Sequence, residues 1–424
     1  MNLDNFEKVK KILEFTYQNS SFYNDKYKGH DINSINTFED FSKLPLLTAE
    51  EITLNSKEMI PSTVRPYRVS SSSGTLGKPK VIYRDEKDTD RGISKLVELL
   101  KMAKVTCSDS IMIGQPFEMA HFGYLVFEAA RILKIQSIPI GISISNEAFL
   151  ESILNFKPTV ICTSLSRVLV IIQMLKVRNI NELPFVKSVI LAGEPVTKEG
   201  IDLIQNYFNV YPFNFYGSEE TDGLGGDCKQ HKGIHFFDDV FYLELLDIPG
   251  VAPTKKGNKI GEAVITSLYQ IGTPLIRYKL GDIIEIEASN CSCGESYPLV
   301  HSIGRAGDAF NIFDGVTILA YQIEKLLKEK LGEIENYQIY ISTIVPGLEE
   351  IKVKIKLTET PENVSVLEND VQNCLWQSSE DLNSAKEAGA LRFRVEINRS
   401  EIYVTQRGKT KRIIDLRKEK EETT

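Results

Sequence analysis

Between residues 86 and 216 the chain alternates short apolar runs with longer amphipathic stretches, and this alternation restricts its fold more than any other feature. "EKDTDRGISKLVELLKMAKV" reads as a helix, "SDSIMIGQP" as a buried strand, and "YLVFEAARIL" as a helix before the apolar run "IQSIPIGI". The pattern repeats in "NEAFLESILNF" with "KPTVICTSLSRVLVIIQML", and again in "FVKSVILAGEPVTKEGIDLIQNYF". Strands alternating with helices at this spacing predict an α/β fold with a doubly wound, mostly parallel sheet. Ligands of such sheets gather at the carboxyl ends of the strands, where "GQP", "CTS" and "LAGEP" stand.

The pattern changes on either side. Upstream, residues 4–18 place Phe6, Val9, Ile12, Leu13 and Tyr17 on one helical face, and "LTAEE" is an N-capped helix start. From residue 235, "IHFFDDVFYLELLD", "GEAVITSLY" and "TPLIRYKLGDIIEIE" predict antiparallel strands, a β-rich subdomain over about 235–303. A last section contains the helix "AYQIEKLLKEKL", the strands "NYQIYIST" and "EEIKVKIKLTE", a long helix around 363–388 and the strand "LRFRVEIN". That is a small α+β domain, and the expected division is 1–306 and 307–424. No solenoid repeat interrupts it.

A net charge of -8, with the only basic cluster interleaved with glutamates near the terminus, excludes a nucleic-acid binder. No run of eighteen apolar residues marks a membrane span, and the charged, amphipathic "MNLDNFEKVKKILEF" is no signal peptide. A cytoplasmic location is expected, as a monomer or homodimer.

The loop "VSSSSGTLGKPKVIY" raises the question of phosphate binding. The P-loop of nucleotide hydrolases requires a glycine where Ser72 stands and Ser or Thr where Pro79 follows Lys78, after a buried strand, and no apolar strand precedes these serines. What remains is a loop of hydroxyl and backbone donors beside Lys78 and Lys80, able to wrap an anion without a helix dipole, or else a Ser/Gly linker. Four other stretches carry chemistry-bearing residues: "FNFYGSEETDG", "PLIRYKLGDI", "SIGRAGDAFNIFDG" and "TQRGKTKRIIDLR". Taken singly, each reads as strand-end turns, a linker charge or a solvated tail.

Together and in this order, these stretches resemble the adenylate-forming superfamily of acyl-CoA synthetases, carrier-protein adenylation domains and luciferases, in particular its phenylacetate-CoA ligase-like branch. The resemblance runs from "FYNDKY" and "LPLLTAEEI" through "SSSSGTLGKPK", "LAGEP", "YGSEE", "TPLIRYKLGD" and "GRAGD" to "GKTKR". It implies an ATP- and Mg2+-dependent enzyme that forms an acyl-adenylate and passes the acyl group to coenzyme A. Ser71, Ser72, Ser73, Gly74, Thr75, Gly77 and Lys78 would hold the leaving phosphates. Gly193, Glu194 and Pro195 would line the adenine site, with Tyr216 on the base and Gly217 and Ser218 beside it. Glu220 stands in the place of the magnesium-binding glutamate, Asp282 in that of the ribose acceptor, and Arg305 in that of a ribose or phosphate contact. Lys409 matches a lysine carried by a mobile C-terminal lid to the carboxylate and α-phosphate. Departures from the family text are Glu219 for Thr or Ser, Lys279 for Arg, Gly307 for a hinge acid and Ala320 for Pro.

"GDCKQHKGIH" and "CSCGES" bring Cys228, His231, His235, Cys291 and Cys293 into two windows. Three thiolates and one histidine make a closed zinc set that staples loops rather than catalyses, and which histidine serves is open. Free thiols on a hairpin are the alternative. "QPFEMAHFGYLVFE" offers Phe117, His121, Phe122 and Tyr124 either as an aromatic acid pocket or as ordinary helix packing. The expected substrate is a small aryl or arylacetic acid. Rival readings are a ligase loading the phosphopantetheine of a carrier protein or an amine, and a non-catalytic nucleotide- or acyl-binding homologue.

Overall fold

A computed structural model describes residues 3–71, 79–194, 196, 198–248, 253, 255–305, 309–312, 316–332, 334–345, 348–377, 382, 386, 391–399, 402 and 412–417. The chain opens with helices α1 (Leu3–Asn19), α2 (Ser21–Lys26), α3 (Phe38–Phe41) and α4 (Ala49–Asn55). α4 starts on a capping box in which the Thr48 hydroxyl and the Glu51 carboxylate each satisfy the other residue's backbone N-H. A hairpin follows, β1 (Arg68–Ser71) and β2 (Val81–Arg84), then α5 (Glu86–Met102), β3 (Ser110–Ile113), α6 (Phe122–Ile132) and β4 (Gln136–Pro139). Next come α7 (Asn146–Phe156), β5 (Val160–Thr163), α8 (Leu165–Val177), β6 (Ser188–Ala192), α9 (Lys198–Phe208) and β7 (Phe213–Tyr216). The β-rich section holds β8 (Gly225–Asp227), β9 (Ile234–Phe236), β10 (Phe241–Leu246), β11 (Lys259–Ser267), β12 (Tyr278–Ile286) and β13 (Leu299–Arg305). The last section holds β14 (Ala309–Ile312), β15 (Val316–Leu319), α10 (Ala320–Leu331), β16 (Asn336–Val345), β17 (Leu348–Lys356), α11 (Val364–Gln377), β18 (Leu391–Ile397) and β19 (Ile413–Asp415).

The expected doubly wound sheet is present, in the order β4-β3-β5-β6-β7, with parallel pairing throughout. Every residue of β5 and β6 is buried, as befits strands covered by helices on both faces. The β-rich strands extend this sheet instead of forming a separate one: β8 pairs antiparallel with β7, and the order continues β9-β13-β12-β11-β10. Phe149, Ile153, Ile161, Ile171, Val189 and Leu191 are among the side chains packed between the parallel strands and their helices.

By contact density the chain divides into two units. One comprises Met1–Glu244, Val264–Leu280 and Ile286–His301; the other comprises Leu245–Ala263, Gly281–Glu285 and Ser302–Thr424. In the second, the sheet order is β18-β17-β16-β19, and alternate strand residues such as Ile339, Ile341, Ile351 and Val353 pack against α10 and α11. Trp376, the chain's single tryptophan, lies in that core with its ring 4.6 Å from Phe393.

As expected, no apolar strand leads into the serine loop: the strand there, β1, reads Arg-Val-Ser-Ser and pairs with the antiparallel β2, not with the parallel sheet. Of the helix expected over 363–388, Val364–Gln377 is described as α11, and most of 378–388 lies outside the described residues. Among the described residues no helix is long and apolar enough to cross a membrane.

Candidate active site

The order of the parallel strands reverses at β3, which has β4 on one side and β5 on the other. The crevice beyond that switch point is where such sheets bind ligands. Here the Thr163 hydroxyl donates to the Gly114 carbonyl at 3.0 Å and Gly114 N-H to the Cys162 carbonyl at 2.8 Å, so the ends of the two strands are locked together. A Cβ at Gly114 would stand 2.4 Å from the Phe149 ring, which explains why glycine ends β3. Gln115 is buried and its Nε2 reaches the Ala192 carbonyl at 3.4 Å, beside Gly193 at the end of β6. Gly193 is exposed with a φ of +91°, a left-handed turn open to a ligand. The Glu194 carboxylate accepts from Ser166 N-H in the first turn of α8, so its side chain caps that helix.

At β7 the sheet changes from parallel to antiparallel, and the connection to β8 is the tight turn Gly217–Leu224. A Cβ at Gly217 would lie 2.4 Å from the Asp222 carbonyl. Tyr216 ends β7, half-buried, and Ser218 N-H is held by the Thr221 hydroxyl at 3.0 Å. The turn presents Glu220, which is 4% exposed, inward. Its Oε1 receives the Tyr278 hydroxyl at 2.8 Å and is paired with the Lys80 ammonium, which also lies 3.3 Å from Tyr278 Oη. A carboxylate this enclosed needs such partners to stay charged. Lys80 and Tyr278 were not singled out for this role in the sequence; the second lysine of "GKPK" and the Tyr before "KLGD" were the available signals.

Glu219 points elsewhere. Burial pushes its carboxyl up to about 7, against the pull of Arg84 and Arg68. Burial and the same two arginines push His121 down. His121 stands at the N-terminus of α6 with a buried Nδ1 that lacks a hydrogen-bond partner among the described residues. Phe117 packs near Gly123 and Gly141, and Phe122 begins α6. Tyr124 lines a groove of about 390 Å³ between α5 and α6 with Tyr67, Asp90 and Glu128, a lining that Phe117, His121 and Phe122 do not share. Ser71 ends β1, and Asp282 lies on β12 just after Gly281. Arg305 ends β13, and its side chain is outside the described set. Ser72, Ser73, Gly74, Thr75, Gly77, Lys78, Pro195 and Lys409 also lie outside the described residues.

A second cluster forms where the loop after β8 and the loop before β13 meet β9. The ligand atoms of Cys228, His235, Cys291 and Cys293 lie within 4.8 Å of one another. Cys228 Sγ is 3.8 Å from Cys291 Sγ, and Cys293 Sγ is 3.3 Å from His235 Nε2. The other nitrogen, His235 Nδ1, is 3.1 Å from the Tyr297 carbonyl, which fixes Nε2 as the nitrogen with the free lone pair. Backbone N-H groups of Gln230 and Glu295 point at Cys228 Sγ and Cys293 Sγ. His231 is turned away: its Nδ1 sits 2.8 Å from Asp227 Oδ2 and its ring stacks 4.0 Å from Tyr211.

No protein-family model matches the chain. The chain is 24% identical to the phenylacetate-coenzyme A ligase of Thermus thermophilus over 97% of its own length and 96% of that protein's. It superposes on a 2-hydroxyisobutyryl-CoA ligase, crystallised in an open conformation with 2-HIB-AMP and CoA, with a TM-score of 0.75, covering 97% of this chain and 90% of that one at 16% identity. It superposes on the anthranilate CoA ligase AuaEII in complex with anthranoyl-AMP with a TM-score of 0.55, covering 82% and 68% at 16% identity. At such identities the structural likeness is one of fold.

Proposed function

We propose that this chain, which belongs to the phenylacetate-CoA ligase-like branch of the adenylate-forming superfamily, is an AMP-forming acid:CoA ligase. A carboxylate attacks the α-phosphate of ATP, pyrophosphate leaves, and the acyl-adenylate is then cleaved by the thiol of coenzyme A, releasing AMP. The observation that carries this reading is Glu220, a buried carboxylate held by Lys80 and Tyr278 in a chain similar to a phenylacetate-coenzyme A ligase along nearly its whole length.

Both reactants of the first step are anionic, so the protein's work is alignment and charge compensation. Residues 71–78 would hold the departing phosphates, and Gly193, Glu194, Pro195, Tyr216, Gly217 and Ser218 the adenine. Asp282 and Arg305 would hold the ribose and phosphate, and Lys409 the forming bond. A magnesium ion at Glu220 would neutralise charge on the phosphates; a carboxylate is the hard oxygen ligand such an ion takes, and Lys80 and Tyr278, which both engage Oε1, hold the group in place. Residues 1–306 and 307–424 act as body and lid, and the enzyme works in the cytoplasm as a monomer or homodimer. The acid is aryl or arylacetic, as suggested by Phe117 and Phe122 at the crevice end of α6 and by the relatives that act on phenylacetate.

Cys228, His235, Cys291 and Cys293 fit zinc. Tetrahedral zinc with sulfur ligands at about 2.3 Å has sulfur-sulfur edges of about 3.8 Å, the separation of Cys228 and Cys291. All four positions are filled by protein, so the metal's part is to staple the two loops to β9.

Pyrophosphate exchange into ATP, driven by a panel of aromatic and aliphatic acids and followed by CoA-dependent release of AMP, tests the reading. Exchange with an aryl acid and a thioester product is expected; absence of exchange with every acid refutes it.

A further inference from the structure

Arg68 and Arg84 are direct cross-strand partners in the β1–β2 hairpin, and both are buried. Like charges placed opposite each other repel, so the pair requires a counter-charge. Asp222 supplies it: Oδ2 accepts from Arg68 Nη2 at 2.7 Å and from Arg84 Nε at 2.9 Å. Arg84 Nη2 donates in addition to the Glu219 carbonyl at 2.8 Å. Helix α5 closes the third side, since a Cβ at Gly92 would stand 2.7 Å from Asp222 Oδ2. Asp222 itself has a φ of +61°, a left-handed conformation that aspartate and asparagine tolerate better than most residues.

The hairpin and the turn flank two of the segments given roles in adenylation. β1 leads into residues 72–78 and β2 leads out of them, while Glu220 stands two residues before Asp222. One carboxylate oxygen therefore joins both strands of the loop's base to the turn that presents Glu220. We propose that the Arg68–Asp222–Arg84 bridge is a positioning device for adenylation, holding the β1–β2 hairpin in register with the turn that carries Glu220. The proposal rests on the adenylation reading above.

A bridge kept for stability alone would satisfy its own donors. Here Arg68 Nε, Arg68 Nη1 and Arg84 Nη1 are buried without hydrogen-bond partners among the described residues, and both guanidinium groups share a single carboxylate oxygen, Asp222 Oδ2. Such an arrangement is costly, and its geometry is what it contributes. In a reaction that depends on alignment, a displacement of about 1 Å at the loop costs about a hundredfold in rate.

Two variants of the full chain test this. Asp222→Asn keeps size and backbone preference but removes the charge. Gly92→Ala leaves every charge in place, adds a methyl group against Oδ2, and favours the helix it sits in. The measurements are kcat and KM for pyrophosphate exchange, thioester formation from supplied acyl-adenylate, and thermal unfolding. Both variants are expected to lower kcat for exchange by about tenfold or more, with KM for the acid within about twofold of the parent. Use of supplied adenylate is expected to stay within about threefold. Exchange at the parent rate in both variants overturns the proposal, as does equal loss in the two half-reactions. If Asp222→Asn fails to fold, Gly92→Ala decides by the same criteria. Parent protein that exchanges with no acid overturns the adenylation reading and this proposal together, whereas an active parent with unaffected variants overturns this proposal alone.

Discussion

His235 Nε2 lies 3.3 Å from Cys293 Sγ across a sequence separation of 58 residues, with its Nδ1 engaged by the Tyr297 carbonyl. Purified protein is expected to contain about one zinc per chain. Cys291→Ser and His235→Gln should lose the metal, and His231→Gln should keep it. Chelation should lower the unfolding temperature by roughly 5 °C or more without changing the chemistry at a permissive temperature. Elemental analysis and a thermal melt check this; a metal-free parent protein contradicts it.

Glu220→Gln is expected to lower pyrophosphate exchange by about a hundredfold or more, because a neutral amide replaces the charge at the site of phosphate neutralisation. Tyr278→Phe removes one hydrogen bond to that carboxylate and should cost about 1.5–3 kcal/mol of stability. Denaturant unfolding of Tyr278→Phe beside exchange assays of both variants separates support of the carboxylate from its use.

Lys409→Ala should cripple adenylation while leaving thioester formation from supplied acyl-adenylate mostly intact. Single-turnover assays of the two halves measure this. Equal damage to both would remove Lys409 from the role given to it.

Glu219 gives a pH signature. Burial raises its carboxyl from 4.5 to about 7, so the folded state holds the proton more tightly than the unfolded state. That stability is present below about 4.5, declines as pH rises toward about 7, and is absent above it. Glu219→Gln should flatten this part of the profile, with a difference from the parent on the order of 2 kcal/mol developed between pH 5 and 8. Asp88, pushed up to about 6 mainly by burial, contributes a slope of the same sign to both proteins. Denaturant titrations at several pH values provide the comparison, and a pH-independent difference contradicts the assignment.

The sequence revealed what local patterns encode. Alternation of period placed the parallel strands, and "GQP" and "CTS" marked the carboxyl ends of strands where Thr163 now bonds Gly114. It was silent where long-range pairing decides. "RVSS" is not apolar, and it becomes a strand because β2 pairs with it and Asp222 neutralises its arginine. Neither spacing nor composition could choose between His231 and His235, because the choice depends on Tyr211 stacking one and strand β9 burying the other among distant cysteines. The continuity of the β-rich strands with the parallel sheet likewise follows from long-range pairing of β7 with β8 and of β8 with β9, in which Gly217 admits the Asp222 carbonyl and Gly225 the His235 carbonyl.

Trp376 gives the protein a built-in spectroscopic label. Its indole is enclosed among Leu375, Phe393 and their neighbours in the unit built on β16–β19, and the chain has no other tryptophan. Emission excited selectively at the indole band therefore reports the solvation of that unit's interior alone, while circular dichroism sums over the whole chain. A melt in which the two signals separate would give the unfolding free energy of each unit from one unlabelled sample.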